Sequence, residues 1–93
     1  MSYKIAFPPR ARKDFDEWKN TDGKTVERIK VILKDIAEHP YSGIGKPEPL
    51  KYNLAGKWSR RINKTDRIIY SVDGETVLVY IFSLKGHYHK QKI

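Results

Sequence analysis

At 93 residues, with a formal charge of +8 and a pI near 9.8, the chain can bury one modest core but not two, so a single domain over 1–93 is expected. It has no cysteine, which excludes a disulfide framework and a thiolate metal site. The basic excess points to a polyanion, nucleic acid first, because neutralising phosphates releases condensed counterions; the bland alternative is a set of lysines that only solubilises a small domain.

The N-terminal MSYKIAFPPR lacks the apolar run of a signal peptide, and no stretch approaches membrane-spanning length. A cytoplasmic protein without membrane contact is expected. Tyr3 to Phe7 alternates as a first strand, and Pro8-Pro9 stops it before a helix from about Ala11 to Lys19, in which Phe15 and Trp18 share a face. Thr21-Asp22-Gly23 breaks that helix. Val26, Ile29, Leu33 and Ile36 then recur at helical spacing, and His39-Pro40 closes the second helix. Gly and Pro punctuate the chain as far as Pro49, a long loop for so small a domain and therefore a candidate functional segment.

Period-two patterning follows, giving strands near Leu50 to Leu54, Lys57 to Ile62, Arg67 to Val72 and Val77 to Leu84. The expected fold class is α+β, in the order β-α-α-β-β-β, with two N-terminal helices packed on one face of a small twisted antiparallel sheet and the other face free to bind. Ile68, Tyr70 and Val72 should point to the helices, leaving Arg67 and Ser71 on the open face. Arg61 joins Arg67 there only if the intervening loop has an odd residue count. Arg60 then falls between Trp58 and Ile62 on the apolar side, which predicts a bulge or an edge position. Tyr3, Phe15, Trp18 and Trp58 read as core.

The run Gly45-Lys46-Pro47-Glu48-Pro49-Leu50-Lys51, then Asn53-Leu54, Gly56, Trp58-Ser59-Arg60-Arg61-Ile62, Arg67 and Tyr70, closing with His87-Tyr88, resembles the YoeB/Txe toxins of the RelE-like superfamily over essentially the whole chain. The resemblance implies a type II toxin–antitoxin toxin with the RelE-like fold: an endoribonuclease, or mRNA interferase, that cuts messenger RNA in the ribosomal A site and stops translation. It also implies an antitoxin of the YefM/Phd type with an acidic, disordered segment, a toxin homodimer, and contact with operator DNA only through the antitoxin. The chain continues beyond the usual closing His-Tyr pair as His89 to Ile93, leaving extended RNA contact and disorder as open alternatives.

The chemistry can be argued beside the resemblance. Metal-free RNA cleavage needs a base for the ribose 2′-hydroxyl, cations for the phosphorane, and an acid for the departing 5′-oxygen. Glu48, framed by Pro47 and Pro49, is the general base; from the residues alone an ordinary exposed loop glutamate is the better reading, and the resemblance reverses that. His87 is the general acid, its ordinary pKa of about 6.5 lying close to neutrality. Arg67 and Arg61 hold the phosphate through forked donors, while Lys46 and Lys51 add point charges, although any one of these could be a plain surface cation. Tyr88 stacks on a base or, alternatively, wedges against the sheet. His87 and His89 lack a third ligand of suitable type in the sequence nearby, so no metal and no cofactor is expected. The competing function is a non-catalytic basic module that binds RNA or the ribosome.

Overall fold

Two consecutive prolines set the first boundary. In the computed structural model, which describes residues 2–81, β1 (Lys4–Ala6) ends just before them and α1 (Pro9–Thr21) begins with Pro9 in its first turn, where a missing N–H costs nothing. Asp22 separates α1 from α2 (Gly23–Glu38): its N–H closes α1 on the Trp18 carbonyl, and its carboxylate accepts from the Thr25 N–H at 3.1 Å and the Thr25 hydroxyl at 2.7 Å. One residue thus terminates one helix and caps the next.

The expected stripe on α2 is present, with Val26, Ile29 and Ile36 buried, joined by Ile32, while Leu33 is only partly buried at its margin. Ala11 and Trp18 of α1 complete the helix side of the core, with Phe15 packed against it and tilted against the Phe7 ring. Tyr3 and Trp58 pack against the same cluster.

After α2 come β2 (Glu48–Pro49), a 3₁₀ turn at Tyr52–Leu54, β3 (Trp58–Arg61), β4 (Arg67–Asp73) and β5 (Thr76–Ile81). The sheet order is β1-β5-β4-β3-β2. Two helices on a small sheet agree with the expected α+β class, with two refinements. The β1–β5 pair is parallel, so the sheet is mixed rather than antiparallel: β2 leaves the helices running against β1, and the three reversals from β2 through β3 and β4 bring β5 back to the direction of β1. Four strands follow the helices among the described residues, the number read from the period-two patterning and one more than the order β-α-α-β-β-β carries.

The strand expected over Leu50 to Leu54 is absent. Pairing stops at Glu48–Pro49 opposite Ser59–Trp58, and Tyr52 adopts a left-handed backbone (φ 60°) that turns the chain into the 3₁₀ segment. The Leu50 N–H still bonds the Lys57 carbonyl at 2.9 Å, which closes the reversal into β3. The bulge expected at Arg60 is also absent; the irregularity lies in the β4–β5 pairing, where the step from Ile69 to Tyr70 faces two residues of β5 and leaves Tyr80 unmatched, and Arg60 is neither bulged nor at an edge.

Candidate active site

β3 and β4 pair in register, Trp58 with Tyr70, Ser59 with Ile69, Arg60 with Ile68 and Arg61 with Arg67, across the five-residue connection 62–66. That odd count places Arg61 and Arg67 on the same face, away from the helices, as the alternation required. Ile68 and Tyr70 face the helices and belong to the core.

Glu48 stands opposite Ser59 and so joins this open face. Arg67 lies at its centre: Nη1 is 3.5 Å from Glu48 Oε1 and donates to Ser59 Oγ at 3.3 Å. The carboxylate is 61% exposed and the guanidinium 33%, so the pair adds under about 1 kcal/mol to folding while leaving both groups open to a ligand. Ser59 is buried beneath them and gives the guanidinium a fixed point.

Among the other residues expected at the site, Lys46 is exposed two residues before Glu48 with a left-handed backbone (φ 52°), and Arg61 is exposed beside Arg67. Lys51 is exposed between β2 and the 3₁₀ turn, where the strand expected over Leu50 to Leu54 does not form. His87, Tyr88 and the stretch after them lie outside the described residues. Among the described residues no three His, Cys, Asp or Glu side chains come together as a metal set.

The loop that delivers Glu48 is held from beneath by Arg60. Its side chain is fully buried, with Nη1 donating to Asp35 Oδ2 at 2.6 Å and to the Ile44 carbonyl at 2.9 Å. Nη2 donates to the carbonyls of His39 at 2.5 Å and Ser42 at 2.8 Å, and Nε to the Tyr70 hydroxyl at 3.1 Å. The Tyr70 hydroxyl donates to the Pro40 carbonyl at 2.7 Å, and Asp35 Oδ2 also accepts from the Ile44 N–H at 3.1 Å. The loop therefore meets a fixed donor or acceptor at positions 39, 40, 42 and 44.

These contacts also set two protonation equilibria. Burial alone would raise the Asp35 carboxyl, but hydrogen bonds from Arg60 and the Ile44 N–H, with the Arg60 charge, hold it below its ordinary value. Burial raises the Tyr70 phenol above its ordinary value, against the opposing pull of Arg60.

At the end of the loop the Gly45 carbonyl accepts from the Arg61 N–H at 2.7 Å, so the chain lies along β3 just before β2 starts. Gly45 has φ 79°, and a Cβ there would stand 3.0 Å from the Arg61 carbonyl; glycine permits the close approach. Sequence reasoning missed this framework. Its signal was nonetheless present in an arginine at an inward phase between Trp58 and Ile62, which implied a buried cation needing several acceptors rather than a break in the strand.

The YoeB-like toxin family of bacterial type II toxin–antitoxin systems matches residues 7–88 of this sequence, a span that includes every element of the site. The chain belongs to that family. It is 44% identical over 87 residues to the toxin YoeB of Synechocystis sp., covering 94% of this chain and 99% of the relative. Its fold is similar to the toxin in the heterotetrameric YoeB–YefM complex of Staphylococcus aureus, with a TM-score of 0.81, 38% identity and coverage of 89% and 97% of the two chains. The YoeB dimer from the same organism superposes with the same TM-score of 0.81. Family membership makes this chain a toxin of a toxin–antitoxin system, of a kind that generally acts as an RNase. Among the described residues no helix is long and apolar enough to cross a membrane.

Proposed function

We propose that the chain is a ribosome-dependent endoribonuclease that cleaves messenger RNA in the A site by metal-independent attack of a ribose 2′-hydroxyl. The observation that carries this is the Glu48–Arg67 pair: a carboxylate and a guanidinium 3.5 Å apart, both accessible, on the sheet face opposite the helices. The Glu48 carboxylate takes the 2′-hydroxyl proton as that oxygen attacks the adjacent phosphorus. Arg67, with Arg61 beside it, neutralises the charge that accumulates on the phosphorane oxygens. The bond from phosphorus to the 5′-oxygen breaks, His87 supplies the proton that oxygen needs, and the products are a 2′,3′-cyclic phosphate and a 5′-hydroxyl. Tyr88 stacks on a neighbouring base, and Lys46 and Lys51 hold flanking phosphates.

The same reading covers partners. The Staphylococcus aureus relatives form a YoeB–YefM heterotetramer and a YoeB dimer, which supports a YefM-type antitoxin and a homodimer for this chain. A basic surface of net +8 favours an acidic disordered antitoxin segment by steering and by charge pairing. Operator DNA would be met only through the antitoxin, and the toxin would work in the cytoplasm as one domain, on 70S ribosomes.

Primer extension on a defined messenger, with and without purified ribosomes, together with end-group analysis of the fragments, tests the proposal. A discrete cut at the A-site codon that requires ribosomes and leaves a 2′,3′-cyclic phosphate is expected. Ribosome binding without a cut would instead identify a non-catalytic module.

A further inference from the structure

Beyond Arg61, at the end of β3, the surface sinks into an open depression of about 370 Å³. Four cations line it, Arg28 from α2, Lys46 from the loop before β2, Arg61 from β3 and Lys64 from the following turn, and among the described residues no carboxylate does. All four residues are exposed, and among the described residues none of them is in an ion pair. Arg28 Nε donates to the Ile62 carbonyl at 3.3 Å, which steadies the guanidinium and leaves its two terminal nitrogens available. Gly45 contributes backbone without a side chain to the lining, so the concavity stays open. Like charges gathered around one concavity repel one another in the free protein, and a polyanion relieves that repulsion.

The position relative to the Glu48–Arg67 pair decides what enters. Arg61 lies two residues along β3 from Ser59, the partner of Glu48, and on the same face, a separation of about 7 Å at strand rise. Lys46 likewise precedes Glu48 by two residues. A strand held over Glu48 and Arg67 and leaving along β3 therefore crosses Arg61 and passes into the depression.

We propose that the Arg28–Lys46–Arg61–Lys64 depression is a second phosphate-binding site, which grips the backbone of the RNA strand to one side of the scissile bond; this rests on the reading of the open face as an RNA-binding surface. Arg28 and Lys64 are its new members, and they contribute affinity and register without touching the reacting atoms. An RNA strand is favoured over an acidic peptide because a strand positioned for cleavage has to continue past Arg61.

The test is fluorescence anisotropy with a labelled 2′-O-methylated oligonucleotide at several salt concentrations, comparing the wild-type chain, Arg28→Gln/Lys64→Gln, Lys64→Gln alone, and Arg10→Gln/Lys13→Gln on α1 as a control of equal charge change. The slope of log affinity against log salt should fall by about 1.4 for the depression pair and about 0.7 for Lys64→Gln, as expected for each lost single-strand phosphate contact, and should stay at the wild-type value for the α1 pair. Equal slope changes in both double variants would overturn the site as a local one. Labelled polyglutamate is titrated against the same variants, and loss of its binding in Arg28→Gln/Lys64→Gln with oligonucleotide binding intact would assign the depression to an acidic protein segment and overturn it for RNA. The oligonucleotide cannot be cleaved, so a failure of the nuclease reading leaves this measurement standing, and the reverse also holds.

Discussion

Replacing Arg60 by methionine, which keeps an unbranched chain but removes the guanidinium, should unfold the loop-anchoring network without emptying the core. The wild-type side chain is fully buried and makes five hydrogen bonds, to Tyr70, Asp35, Ile44, His39 and Ser42. Breaking a buried ion pair by removing one partner costs about 3–5 kcal/mol, and the lower end applies because Asp35 is 21% exposed and can rehydrate. A loss of about 3 kcal/mol lowers the Tm of a domain this size by roughly 12 °C or more. Thermal unfolding followed by circular dichroism reads this directly.

The pH dependence supplies a second, independent readout. The folded Asp35 carboxyl is held below its unfolded value of 3.8, so its contribution is complete above that value and disappears as pH falls through the folded pKa. The wild-type advantage over Arg60→Met should therefore shrink in strongly acid solution. A Tm within about 3 °C of wild type at neutral pH would refute the role given to Arg60.

Gly45→Ala should both destabilise the fold and weaken cleavage, since its Cβ meets the Arg61 carbonyl at 3.0 Å from a backbone of φ 79°; a thermal shift together with a single-turnover rate checks the two effects. Asp22→Ala removes the cap bond to the Thr25 N–H and should cost about 1 kcal/mol in urea unfolding with no change in oligonucleotide binding, because the cap lies at the helix junction away from the open face. Tyr70→Phe removes the hydroxyl that accepts from Arg60 and donates to Pro40, and should cost about 1–3 kcal/mol by the same urea measurement.

The elements set by local periodicity were legible in the sequence. Val26, Ile29 and Ile36 marked the buried stripe of α2, and the odd five-residue connection after β3 carried the condition for Arg61 and Arg67 to share a face. What was not legible depends on partners distant in the chain. Nothing local to Lys4–Ala6 selects a parallel mate, and β5 becomes that mate only once both helices have packed. Tyr52 is an ordinary residue that adopts a left-handed backbone, so Leu50 to Leu54 reads as a strand until the turn is seen. Arg60 gave the sharpest lesson: its inward phase was visible, but its acceptors come from Asp35 on α2 and from the carbonyls of His39, Ser42 and Ile44, which only the folded chain brings together. Of the candidate site, the sequence supplied Glu48, Arg61 and Arg67, and the fold added the Ser59 hydroxyl and the Arg60 support beneath the loop.

The most direct test of the central claim is single-turnover cleavage of messenger on programmed ribosomes by Glu48→Gln, with ribosome binding measured on the same preparation. The exposed carboxylate contributes little to folding, so the variant should remain folded. The account predicts a rate lower by about 10²–10⁴-fold with binding nearly unchanged, because a general base acts in the transition state. An unchanged rate, or an equal loss of rate and binding, would contradict it.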